Sequence, residues 1–256
     1  MEKSNFTREF EDFGIKMYVL AILSIISIFT GGLIQLIMFI IMLLSLRDIK
    51  KANLELQNEW LEKFRKYIIY AVIIGIVGAL IITVITIIVA FLFISAIPGF
   101  TFSSPITVSE FQQIAPLIKI LLLVLLGGLP VGAVALALLM IAWKGFQMFL
   151  ERNSGLFPST VVAKAIDGSG KIKKSYLYLL ISLIIGAVLV LIAFLIFPPI
   201  ETLIIDLIEE TTPSMELLGG VIAALAIPGI VIAILGIVSF ILMIIGYFKL
   251  SELKHL

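Results

Sequence analysis

Cysteine is absent from the 256 residues, and histidine occurs once, at His255. Without thiols the chain can form no disulfide, no thiolate nucleophile and no zinc–thiolate centre. With its one imidazole next to the C-terminal residue, no Ser-His-Asp set is expected. Charge is scarce too. Asp, Glu, Lys and Arg make up 14% of the chain, and 18 basic against 17 acidic residues leave a net charge of +1. That balance gives no electrostatic case for a nucleic-acid partner. No cluster of side chains has metal-ligand spacing, and no glycine-rich loop leads into Gly-Lys-Ser/Thr, so no catalytic residue, metal or cofactor is expected.

What the chain has instead is apolar length. The mean hydropathy is +1.23, and uncharged runs cover 17–46, 67–109, 120–143, 175–200 and 217–248. Each is at or beyond the roughly 20 residues that cross a bilayer as a helix. The ten-residue alternation of a membrane β-barrel is missing. We expect an all-α, polytopic transmembrane bundle forming one integral membrane domain over 1–256. The acidic "EFEDF" near the start, with no Ala-x-Ala site after it, reads as a retained segment and not a secretory signal.

Basic residues set the expected orientation. Residues 47–66 and 144–174 each hold six Lys or Arg, whereas 98–116 and 198–216 hold none. The positive-inside rule then places the first pair in the cytoplasm and the second pair outside. Four spans follow, at about 67–96, 117–144, 175–197 and one ending near 248. Residues 17–46 are read as a hairpin of about 13–30 and 33–47, turning at Thr30 to Gly32, where Gly31 and Gly32 allow a tight backbone. This gives six helices in the cell membrane with both termini cytoplasmic; five helices with the N-terminus outside is the alternative. Gly-Gly recurs at 31–32, 127–128 and 219–220. That suggests copies at 15–100 and 115–200 with a partial third at 215–256, or the chance recurrence of glycine in such a composition. Residues 53–67 and 200–210 read as amphipathic interfacial helices. "NSGLFPST" and "DGSGK" read as flexible loop.

The candidate positions are helix breaks and small-residue faces. Pro228 and Gly229 divide the last run, and Pro130 lies in a milder break within "GGLPVG". Such breaks either kink a helix around its neighbours or bind a substrate. Small-residue pairs favour packing: Gly128 with Gly132, Gly220 with Ala224, and Gly229 with Ala233. No ionisable residue is placed mid-membrane. Lys16 and Lys119 lie near span ends, and Gln35 is expected to be buried in an interhelical hydrogen bond.

"GGVIAALAIPGIVIAILGIVSFILMIIGYFKLSEL" and "TGGLIQLIMFIIMLLSLRDIKKAN" resemble segments of uncharacterised archaeal multi-span membrane proteins. The resemblance implies a membrane protein of unknown function and supplies no catalytic residue. From the residues themselves we expect a non-enzymatic membrane protein that acts as a subunit, scaffold or homo-oligomer. Its expected partners are membrane lipids and other membrane subunits or itself. The rival expectation is a passive channel or small transporter for an uncharged or lipid-like solute.

Overall fold

In hydrocarbon every backbone N–H and C=O needs an internal partner, so long uncharged runs fold as helices. A computed structural model describes residues 5–30, 32–96, 107–209 and 215–256. Within them run α1 (Asn5–Thr30), α2 (Gly32–Leu56), α3 (Glu59–Ala96), α4 (Val108–Arg152), α5 (Ser159–Leu195), α6 (Phe197–Ile208) and α7 (Met215–Leu250). Short 3₁₀ turns occupy Ser154–Leu156 and Ser251–His255. The fold is all-α, with no strand among the described residues. Five helical stretches are long and apolar enough to cross a membrane: Asn5–Thr30, Glu59–Ser95, Val108–Arg152, Ser159–Leu195 and Leu218–His255.

The run 17–46 is a hairpin. Lys16 Nζ lies 2.5 Å from Asp48 Oδ2, Lys51 Nζ lies 3.1 Å from Glu9 Oε1, and the Phe6 amide donates to Glu55 Oε2 at 3.1 Å. These pairs fix α1 and α2 as antiparallel, so the single tilted crossing behind the five-helix alternative is replaced by two arms with adjacent ends. Gly31 falls outside the described residues, and Gly32 opens α2. Each arm carries only about 21 Å of uncharged helix, against roughly 30 Å of hydrocarbon.

Several local expectations are corrected. Residues 53–67 are not a separate interfacial helix but the corner between α2 and α3. Gln57 turns it in the left-handed region (φ 46°). Asn53 Oδ1 then accepts the Asn58 amide at 2.7 Å, and Asn58 Oδ1 accepts the Trp60 amide at 2.9 Å, capping α3. Leu61 and Phe64, on the apolar face of that stretch, are fully buried in protein. "DGSGK" lies inside α5, and a 3₁₀ turn takes up part of "NSGLFPST". Neither Pro130 nor Pro228 interrupts its helix: α4 and α7 each continue through. α4 opens on a capping box, with the Thr107 amide donating to Glu110 Oε2 at 2.8 Å and the Glu110 amide to Thr107 Oγ1 at 3.3 Å.

The chain divides into two compact units. The first comprises Met1–Val72, Ala135–Leu180 and Gly236–Leu256, the second Ile73–Val134 and Ile181–Leu235. The first unit holds a dense aromatic core in which Phe10, Phe13, Phe64, Trp143, Phe146 and Phe149 are all 0% exposed. Phe64 and Trp143 meet edge-on at 5.1 Å, and Phe10 stacks on Phe149 at 5.6 Å. Both termini and the segments 47–66 and 144–174 belong to this unit. In the second unit α6 is amphipathic, as expected. It seats Phe197 against Phe111, Ile114 and Ala115 of α4, and Glu201 meets Lys119 at 3.3 Å.

Candidate functional site

Small residues matter in a membrane helix because only they let two backbones approach. In the second unit, Gly128 and Gly132 do serve this purpose. A Cβ added at Gly128 would lie 2.5 Å from Ile82 Cδ1 of α3, and one at Gly132 would lie 2.9 Å from Leu183 Cδ1 of α5. Pro130 sits between them on α4. The pairs on α7 behave differently. Gly220 and Gly229 have open space where a Cβ would go, and Ala233 is exposed. Ala224 and Pro228 are half-buried. No neighbour within the described residues meets α7 at Gly220 or Gly229.

The closest helix approaches were not among the expected positions. A Cβ at Gly168 of α5 would meet the Gly246 carbonyl oxygen at 2.8 Å and the Leu250 nitrogen at 2.9 Å, both on α7. Gly14 of α1 lies against the backbone of Leu253 and Lys254. The available sequence signal was a glycine inside a helical run; the reading of "DGSGK" as loop hid it.

The polar groups also sort themselves. Ser175 and Ser239 hydrogen-bond to each other at 2.8 Å between α5 and α7. Ser24 and Ser27 bond back to carbonyls of their own helix. Gln35 is corrected: it is exposed on α2, not buried. Among the described residues no group of three or more His, Asp or Glu is placed to share a metal ion.

On α7, Ile227, Ile230 and Ile234 of the second unit are 55% to 63% exposed, and Ile237 and Ile241 of the first are 61% and 49% exposed. In sequence they repeat at alternating spacings of three and four, the period of a helix–helix seam. Ala226 and Ala233, both exposed, flank them on the same face. On another side of the helix, Ile232 reaches toward Gly186 of α5, 3.9 Å from where a Cβ would stand. One face of α7 therefore packs within the chain while the seam stays open. Comparison with protein-family models, curated proteins and solved structures found no match for this chain.

Proposed function

We propose that the chain is an integral membrane protein that works by association in the bilayer, as a subunit, scaffold or homo-oligomer, and does not itself catalyse a reaction. The open isoleucine–alanine seam of α7 carries this reading. Lipid alone requires only an apolar face; a heptad-spaced seam with small residues beside it suits a second helix. The partner is a second copy of the chain or another membrane subunit. Both termini share a unit with the two basic segments, which supports placing that end at the cytoplasmic face of the cell membrane.

The rival reading, passage of an uncharged or lipid-like solute, drew its motive from an unwound helix of the kind that holds substrate in transporters. Since α4 and α7 run unbroken through Pro130 and Pro228, that alternative loses its geometric motive.

Light scattering of the purified protein in mild detergent tests the association. Because native cysteine is absent, single cysteines at Ile234 or Ile237 should form an oxidative cross-link in membranes. Ala226→Phe with Ala233→Phe should abolish it while leaving thermal stability unchanged, since both positions are exposed. A monomer at every concentration, with no cross-link at either cysteine, would refute self-association through α7; absence of any co-purifying membrane protein as well would refute the reading. Cysteines at the exposed Leu54 and Ser154 should resist an impermeant reagent added outside intact cells. Labelling there would invert the proposed orientation.

A further inference from the structure

We propose that a groove at the basic ends of α4 and α5 holds the headgroup of an anionic phospholipid. The groove has a volume of about 300 Å³ and is lined by Met140, Ile141 and Lys144 of α4 and Lys173, Lys174 and Leu177 of α5. All six belong to the first unit. Three lysines line one small space, chiefly with their apolar stems, and no carboxylate lines it.

Lys16, Lys51, Lys63, Lys119, Lys164 and Lys249 each pair with a carboxylate. Lys144 and Lys174 are exposed and join no ion pair among the described residues. Lys173 Nζ donates to the neutral Gln147 Oε1 at 2.9 Å, and Gln147 Nε2 in turn donates to Glu151 at 2.8 Å. The acid nearest in sequence on α5, Asp167, is taken by Lys249 and by Lys171. Among the described residues the groove's lysines form no ion pair, although Asp167 still attracts Lys174.

Depth identifies the anion. The uncharged run of α4 ends at Lys144, and that of α5 begins directly after Lys174. Both helices therefore pass from polar to apolar sequence at the groove, which is the level of the phosphates in a bilayer. On the apolar side Ile141 is 42% and Leu177 40% exposed, offering a wall for an acyl chain. A second groove of about 380 Å³ shares Ile141 and Lys144 and adds Trp60 and Tyr67 of α3, aromatic residues of the kind that settle at the membrane interface. A soluble anion would use the lysines alone. A phospholipid uses the lysines, the apolar wall and the rings together, and the geometry favours it.

The inference rests on the chain being embedded in a membrane and is independent of association through α7. The test is native mass spectrometry of the full-length protein in mild detergent, offered phosphatidylglycerol and phosphatidylcholine in equal amounts. Phosphatidylglycerol should be retained preferentially. K144Q/K174Q should weaken that retention roughly 30-fold, on the scale of two basic residues at an anionic surface. K144R/K174R should keep it, and so should K50Q/K66Q, which removes two other exposed lysines. Equal loss in K50Q/K66Q would reduce the site to diffuse attraction, and the proposal would fall. It would fall equally if the wild type showed no headgroup preference, or if inorganic phosphate displaced the lipid. Solubility of the protein without detergent would instead overturn the membrane reading itself.

Discussion

The two units are built from overlapping helices yet cohere by different physics. In the first, Trp143, Phe146, Phe149, Ile49 and Leu61 are all 0% exposed, as in the core of a water-soluble domain. In the second, Leu80, Ile87, Phe91 and Ile94 are 61% to 71% exposed. Water would punish such a surface with aggregation; hydrocarbon does not. The first unit carries the polar ends of the helices and can use the hydrophobic effect. The second keeps its few charges in and beside 107–119 and 201–216, and its uncharged helix stretches gain nothing by hiding from lipid and rely on close packing at a few small residues. One chain thus holds a water-type core and a lipid-type bundle, and the change follows where charged residues stop.

Core truncation should separate them most sharply. Phe146→Ala or Trp143→Ala in the first unit should cost about 3–5 kcal/mol, the usual range for emptying a packed aromatic site. Ile87→Ala or Phe91→Ala in the second should stay within about 0.5 kcal/mol. Thermal melts in one detergent, followed by circular dichroism, would compare the four variants. Equal losses would show that the second unit is buried against something and would break the contrast.

Glycine substitutions sharpen it at a smaller scale. Gly168→Ala and Gly14→Ala push a methyl group into backbone, which cannot swing aside, and should cost about 1–3 kcal/mol. Gly128→Ala meets the flexible end of Ile82 and should cost less. Gly132→Leu, facing Leu183, should destabilise while leaving topology unchanged. Gly229→Ala meets open space and should be neutral, or stabilise by up to about 1 kcal/mol through helix propensity. Any ranking that put Gly229→Ala below Gly168→Ala in stability would mean that the open space beside Gly229 is already occupied in the preparation.

The class of fold was readable from the uncharged runs, because in a bilayer length and charge alone decide what can span. The hairpin at Thr30–Gly32 was readable too, since basic residues on both sides of 17–46 required its ends to share a face. Pro130 and Pro228 do not end their helices. Proline removes one donor and frees one carbonyl, and α4 and α7 absorb that without ending. Helix ends on the polar side were misjudged for a related reason. Residues 53–67 read as a separate interfacial helix and "DGSGK" as loop, but α3 and α5 continue past the apolar boundary to build the first unit's core. Which small residues meet a neighbour was not readable. Gly128 and Gly229 look alike in sequence, and only the packing of α3 onto α4 distinguishes them.

The smallest expected effect lies at the hairpin's polar end, where the water-type core meets an ion pair. Asp48 is 2% exposed and accepts from Lys16. Burial, foremost, holds its carboxyl above the ordinary 3.8, with Glu9 and Asp12 adding to the rise and the Lys16 ammonium opposing it. A carboxyl raised on folding binds its proton more tightly in the folded chain than in the unfolded one. Its contribution to stability is therefore complete below the ordinary value and is lost as pH climbs through the folded value. Asp48→Asn cannot titrate, so subtracting its melting temperature from that of the wild type isolates this one group from every other acid. The difference should move in favour of the wild type as pH falls from 7 toward about 4. Lys16→Met removes the opposing ammonium, and Asp48 should then titrate at still higher pH, shifting the onset of that gain the same way. A difference that instead turned against the wild type on acidification would show that Lys16 outweighs burial. The hairpin would then be held at its polar end by a surface-type ion pair, and the water-type core would stop short of it.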